Sequence, residues 1–118
     1  MIQKVAFTMY PVVDMARARA FYEQTLGLTV SKPHAVWTEY DMPGGGCLAL
    51  FATKDMTPSS AAGGIALEVA DLDALTSKLE TAGVTFKAKL IHSPVCRMTV
   101  VVDSEGNSII LHQLKPKA

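Results

Sequence analysis

The thiols, the imidazoles, the Glu68 carboxylate and one loop guanidinium are among the side chains of this sequence whose types could do chemistry. A thiol attacks or binds metal only as a thiolate, which needs a neighbouring positive charge to form near neutral pH. Cys47 has no basic residue beside it in sequence and reads as a small buried hydrophobe. Cys47 and Cys96 are too far apart for a CxxC pair and too few for a disulfide framework, so both are expected as free thiols. His34 and His92 fall near Pro33 and Pro94 in segments that read as solvent-exposed loops, and His112 stands near the end of the chain. A zinc site needs such nitrogens to converge at roughly 2.0–2.2 Å from one point, and these three are scattered. Arg97 follows the Pro94 loop and could reach an anionic ligand at a pocket mouth, although surface exposure is the plainer reading.

The elements that must position these groups fit within 118 residues, 49% of them hydrophobic, which supports one compact domain with its own core and leaves no room for a second. Eleven basic residues balance eleven acidic ones without clustering, which argues against nucleic acid or an anionic membrane as partner. No apolar run approaches the ~20 residues of a membrane span, and the first residues lack a signal peptide's apolar stretch, so a cytoplasmic protein is expected. Lys115-Pro116-Lys117 reads as a solvated tail.

Val5 to Tyr10 reads as a buried strand, and Asp14 as the cap of a helix. The helix runs from Asp14 to Leu26, with Ala18, Phe21, Tyr22 and Leu26 on its apolar face and Gly27 to end it. Strands are expected at Leu28-Thr29-Val30, Ala35 to Asp41 and Cys47 to Ala52, the last two joined by Pro43-Gly44-Gly45-Gly46. A linker of about 54–63 separates this first module, about 1–56, from a second, about 64–118. There the plan repeats: strand Gly64 to Val69, cap Asp71, a helix with Leu72, Leu75, Leu79 and Ala82 on one face, then Gly83. The two caps stand 57 positions apart and the two glycines 56, which two equivalent modules explain. Strands near Val84 to Phe86, Arg97 to Val102 and Ser108 to Leu114 complete the copy, with Asp103-Ser104-Glu105-Gly106-Asn107 as a hairpin turn.

Several segments in this order resemble the vicinal oxygen chelate superfamily of glyoxalases, bleomycin-resistance proteins and extradiol dioxygenases. They are Val13-Asp14, Ala20-Phe21-Tyr22, Leu26-Gly27-Leu28, Ala66-Leu67-Glu68-Val69, Asp71-Leu72-Asp73, Ala82-Gly83-Val84 and the turn at 103–107. The resemblance implies an α+β fold over residues 1–118, two βαβββ modules forming a curved mixed sheet with helices on its outer face. It also implies a homodimer. Metal-using members place His, Glu or Gln ligands on four strands of the concave face. The matching positions here are Phe7, Ala49, Gly64 and Ile110, none of which offers a lone pair, so neither a metal nor another cofactor is expected.

Strand side chains alternate, so these positions carry others with them onto the concave face. The resemblance thereby places Val5, Phe7 and Met9, Cys47, Ala49 and Phe51, Gly64, Ala66 and Glu68, Ser108, Ile110 and His112, and Met98, Val100 and Val102 there. Ile65, Leu67, Val69, Ile109 and Leu111 would pack under the helices. One of Trp37 or Tyr40 should also face the cavity and could stack on a flat ligand.

The implied ligand site comprises Phe7, Met9, Trp37, Cys47, Ala49, Phe51, Gly64, Met98, Val100 and Ile110, with Glu68 and His112 as its ionisable members. A carboxylate among such neighbours should have a raised pKa. Each member also has a plain reading. Glu68 could pair with a lysine or meet water at a rim, His112 could bond only backbone, and the apolar residues could be ordinary core. The readings that follow are a metal-free binder of a small apolar or aromatic molecule, or an enzyme of lyase, isomerase or dioxygenase type. The enzyme would use Glu68 and His112 as acid and base, or a metal held in an unusual way.

Overall fold

The computed structural model describes residues 1–61 and 64–116, so Ala62 and Gly63 of the expected linker and Lys117 of the expected tail lie outside it. The chain divides into two compact units, residues 1–58 and 59–118, each with a helix laid against its own mixed sheet.

In the first unit, strand β1 spans Thr8–Val12. Asp14 then leaves the strand in an extended conformation, and its carboxylate accepts the Arg17 N–H at 3.1 Å, capping helix α1 over Met15–Ala20. The helix widens into one π turn over Phe21–Thr25. It stops where expected: Leu28 N–H reaches back to the Tyr22 carbonyl at 2.9 Å around Gly27, whose φ of +82° lets the chain reverse. Ala18, Phe21 and Tyr22 are buried, and Leu26 is half-buried.

Strands β2, Trp37–Asp41, and β3, Cys47–Ala52, complete the unit in the order β1-β3-β2, with β1 parallel and β2 antiparallel to β3. Pro11 sits within β1, the edge strand of this sheet, where a residue with no N–H to donate is tolerated.

Two expectations for this unit are corrected. The first strand lies three residues later at its start than Val5, leaving Val5 and Phe7 ahead of any strand. Leu28-Thr29-Val30 is not a strand. Pairing beside β2 is confined to Ser31 and Lys32, whose N–H groups both donate to the Glu39 carbonyl, at 2.9 and 3.2 Å, while Glu39 N–H returns to Lys32 at 3.0 Å. Pro33 follows with no N–H to extend the ladder.

The second unit holds all five expected elements: β4 over Ile65–Glu68, helix α2 over Leu72–Thr81, β5 over Thr85–His92, β6 over Cys96–Val102 and β7 over Ser108–Leu114. Their order is β4-β7-β6-β5, with β4 parallel to β7 and the other neighbours antiparallel. Asp71 caps α2 by accepting the Ala74 N–H at 3.0 Å, and Gly83 follows with φ +76°. Leu72 and Leu79 are buried, but Ala82, expected on the apolar face, is exposed at the helix end. β5 runs well beyond the expected Val84 to Phe86 as an edge strand with two register shifts. The hairpin between β6 and β7 is held by the Asp103 carboxylate, which accepts the N–H groups of Glu105 and Asn107, both at 2.8 Å.

Alternation sorts both sheets. Under α2 lie Thr99, Val101, Ile109 and Leu111, all buried, while Ala66, Glu68, Met98, Val100, Ile110 and His112 occupy the other face with partial or full exposure. In the first unit Tyr10, Val12, Thr38, Tyr40, Leu48 and Leu50 are buried together. Tyr22 of the π turn meets Tyr40 with ring centroids 6.1 Å apart. The Tyr40 hydroxyl donates to Glu23 at 2.9 Å, and Glu23 is held by Arg19 at 2.7 Å.

Candidate functional site

On the open face of the second unit, Glu68, His112 and Met98 stand side by side on β4, β7 and β6. Below them run Ala66, Ile110 and Val100, then Ser108 and Val102. Glu68 Oε1 lies 2.5 Å from His112 Nδ1, and Glu68 Oε2 accepts the Leu114 backbone N–H at 2.8 Å. That N–H first, and the imidazole second, hold the Glu68 carboxyl below the usual carboxylate range. The expected upward shift is therefore overturned: Glu68 is exposed, so little desolvation opposes its two hydrogen bonds. Glu68 pairs with His112 rather than with a lysine, and His112 bonds a carboxylate rather than backbone alone. Gly64 precedes β4 and is exposed.

The first unit's open face is aromatic. Register places Met9, Ala49 and Glu39 in one row, Pro11, Phe51 and Trp37 in the next, and Cys47 beside Asp41. Trp37, not Tyr40, is the aromatic of β2 on this face; Tyr40 points under the helix. Phe7, although outside the strand, meets Trp37 edge-on with centroids 5.1 Å apart, and Trp37 meets Phe51 at 5.5 Å. Val5 is exposed and joins no strand.

Glu39 is the residue that sequence reasoning left unplaced. The Trp37 indole N–H donates to its Oε2 at 2.8 Å, and the Cys47 thiol lies 3.7 Å from its Oε1. The alternation that seats Trp37 on this face seats Glu39 and Asp41 there too, so the register of one strand was the missing signal. Burial, then the Glu39 and Asp41 carboxylates, push the Cys47 thiol above its ordinary pKa, which keeps it protonated and a poor nucleophile.

Other candidate groups have structural employment. Arg97 forms an ion pair with Asp73 of α2 at 2.5 Å. His34 Nδ1 accepts the Val36 N–H at 3.1 Å, and His92 ends β5 opposite Arg97. A surface cleft beyond β3, lined by Val13, Ala52, Thr53, Lys54, Met56, Thr57 and Pro58, brings together no acid–base pair.

Phe7, Ala49, Gly64 and Ile110 carry a ring, a methyl, a hydrogen and a branched alkyl, so these side chains do not fit a metal ion. Among the described residues, Glu39, Asp41 and Cys47 hold potential ligand atoms within 4.8 Å of one another, and no histidine joins them. No helix among the described residues is long and apolar enough to cross a membrane.

Comparison with known proteins places these observations. The chain is similar to TnmS3, an antibiotic binding protein from Streptomyces sp. CB03234, at 28% identity, covering 97% of this chain and 98% of that one, with a TM-score of 0.78. A glyoxalase/bleomycin resistance protein from the same organism is also 28% identical, over 89% and 96% of the two chains, with a TM-score of 0.73. The lactoylglutathione lyase from Agrobacterium tumefaciens shares the fold at 17% identity, 96% and 95% coverage and a TM-score of 0.74. No curated protein matches the chain. The family model described as Glyoxalase/Bleomycin resistance protein/Dioxygenase superfamily matches residues 4–111, and the chain belongs to that superfamily.

Proposed function

We propose that this protein binds a small apolar or aromatic molecule on its open sheet faces, without a metal and without converting it. The observation that carries the reading is the cluster of Phe7, Trp37 and Phe51 with Met9 on the face turned away from the helix, where a flat ligand can stack. Met98, Val100 and Ile110 give the second unit's open face the same apolar character. Similarity to an antibiotic binding protein supports binding as the activity, and the chemistry of Phe7, Ala49, Gly64 and Ile110 supports a metal-free site. A homodimer in a reducing cytoplasm completes the proposal; the two free cysteines accord with that compartment.

Native mass spectrometry of protein purified without chelator tests this directly. A dimer carrying organic mass and no metal is the expected spectrum. Stoichiometric metal would overturn the metal-free reading, and a monomer at low concentration would overturn the dimer.

The Glu68–His112 contact favours a second reading, an acid–base enzyme. Glu68, anchored by the Leu114 N–H, can accept a hydrogen bond from His112 Nδ1–H and so leave Nε2 as the base for a proton beside a carbonyl. On that reading Glu68→Gln abolishes turnover of a carbonyl substrate while binding survives; an unchanged rate in the variant excludes it.

A further inference from the structure

We infer that Glu39 sets the ligand class of the first unit's open face: a flat aromatic molecule that presents an N–H or O–H donor, in preference to the same ring system without one. The inference rests on the binding reading above and adds the polar group that selects among aromatic ligands.

The argument starts from what covering this face does to Glu39. Its carboxylate is half-buried on an apolar surface, between the Trp37 indole N–H at 2.8 Å and the Cys47 thiol at 3.7 Å. An ionised carboxylate has about four acceptor sites, and one good hydrogen bond plus one weak thiol contact leave the others to water. Among the described residues no lysine or arginine forms an ion pair with Glu39. A ring laid against Phe7, Trp37 and Phe51 therefore displaces that water and strands acceptor sites, unless the ring carries a donor that reaches them. A site built to hydrogen-bond its ligand rejects the analogue that lacks the partner, because the site's own group is left unpaired. The indole N–H lies in the ring plane and fixes the carboxylate at the ring's edge, so the donor position is set relative to the stacking surface. Asp41 lies on the same face, but it is exposed and keeps its water when the aromatic cluster is covered.

The test uses 1-naphthol and 1-methoxynaphthalene, which share a ring system and differ in the hydroxyl donor, measured by equilibrium dialysis at pH 7 against the full chain. Wild-type protein is expected to bind the naphthol about tenfold more tightly, the scale of one hydrogen bond to a charged group. Glu39→Leu should remove the preference and bind the methoxy compound more tightly than wild type does, a gain that damage to the fold would not produce. Glu39→Gln, which keeps shape and a neutral acceptor, should show an intermediate preference and decides the matter should the leucine variant not fold. Asp41→Asn should keep the wild-type preference. Equal affinities in wild type, a preference that survives the Glu39 replacements, or an equal loss in Asp41→Asn would overturn the inference while leaving the binding face intact. Failure of wild type to bind either compound would instead remove the binding reading itself, and the inference with it.

Discussion

Tyr40 illustrates how one hydroxyl joins an element to the sheet. Burial, then its bond to the Glu23 carboxylate, raise its phenol well above the ordinary tyrosine pKa of 10.0. A raised folded-state value means a contribution to stability that is complete below pH 10 and is lost only as pH rises through the folded pKa. In an ultraviolet titration Tyr40 should therefore withhold its phenolate signal until the protein unfolds, and Tyr40→Phe should remove that late component. The same substitution should cost about 1.5 kcal/mol in urea unfolding, the low end for one hydrogen bond to a charged group, because the ring keeps its packing. Glu68 has the opposite sign. Its depressed pKa gives a contribution present above the ordinary carboxylate value of 4.5 and lost as pH falls through the lower folded value. Glu68→Gln should lower stability slightly in the neutral region, leave the acid end little changed and so flatten the acid limb of the stability curve; an unaltered acid limb would count against the pairing. The direction of that shift was not legible in sequence, because the group that dominates it, the Leu114 N–H, lies 46 residues away. By contrast the faces occupied by Met9, Ala49, Phe51, Met98, Val100 and Ile110 were legible, since alternation along a strand needs only one correctly placed residue.

Helix ends were read correctly because their signals are local. Asp14 and Asp71 each accept an N–H three residues on, and Gly27 and Gly83 each take the positive φ that reverses the chain. Asp71→Ala should destabilise the second unit by about 1 kcal/mol, seen as a lower urea midpoint at unchanged slope. Leu79→Ala, beneath the same helix, should cost about 2–5 kcal/mol because Leu79 is fully buried. Strand limits were less legible. Whether Leu28 to Val30 pairs is decided by what lies beside β2 and by Pro33, and a three-residue apolar run carries neither fact. The length of β5 was missed for the same reason: its partner β6 supports the ladder across residues whose own pattern is interrupted by Lys87 and Lys89.

For the whole molecule, ligand binding and folding are linked. A compound that occupies the open face of the native state alone should raise the thermal midpoint in step with its concentration, by about 2.7 kcal/mol of stability at a hundredfold excess over its dissociation constant. Added chelator should leave that rise unchanged, and a midpoint that falls on chelation would mean that a metal supports the fold. The molecule must also keep its strands to itself. β5 is the edge strand of the four-stranded sheet, with no further strand pairing beside it among the described residues, and Leu90 and Ile91 are exposed along it. Such an edge can template a strand from another molecule, which is how soluble sheets begin to aggregate. Here the edge is broken twice in register and carries Lys87, tied to the Ser60 carbonyl, and Lys89, which lies 5.7 Å from the Phe86 ring centroid and 3.8 Å from Glu80. An incoming strand would find no straight run of donors and acceptors to match, and would have to bury a charge to try. The irregularity of β5 thus works as a guard against fibril growth in a protein whose net charge is zero and which gains little from mutual repulsion.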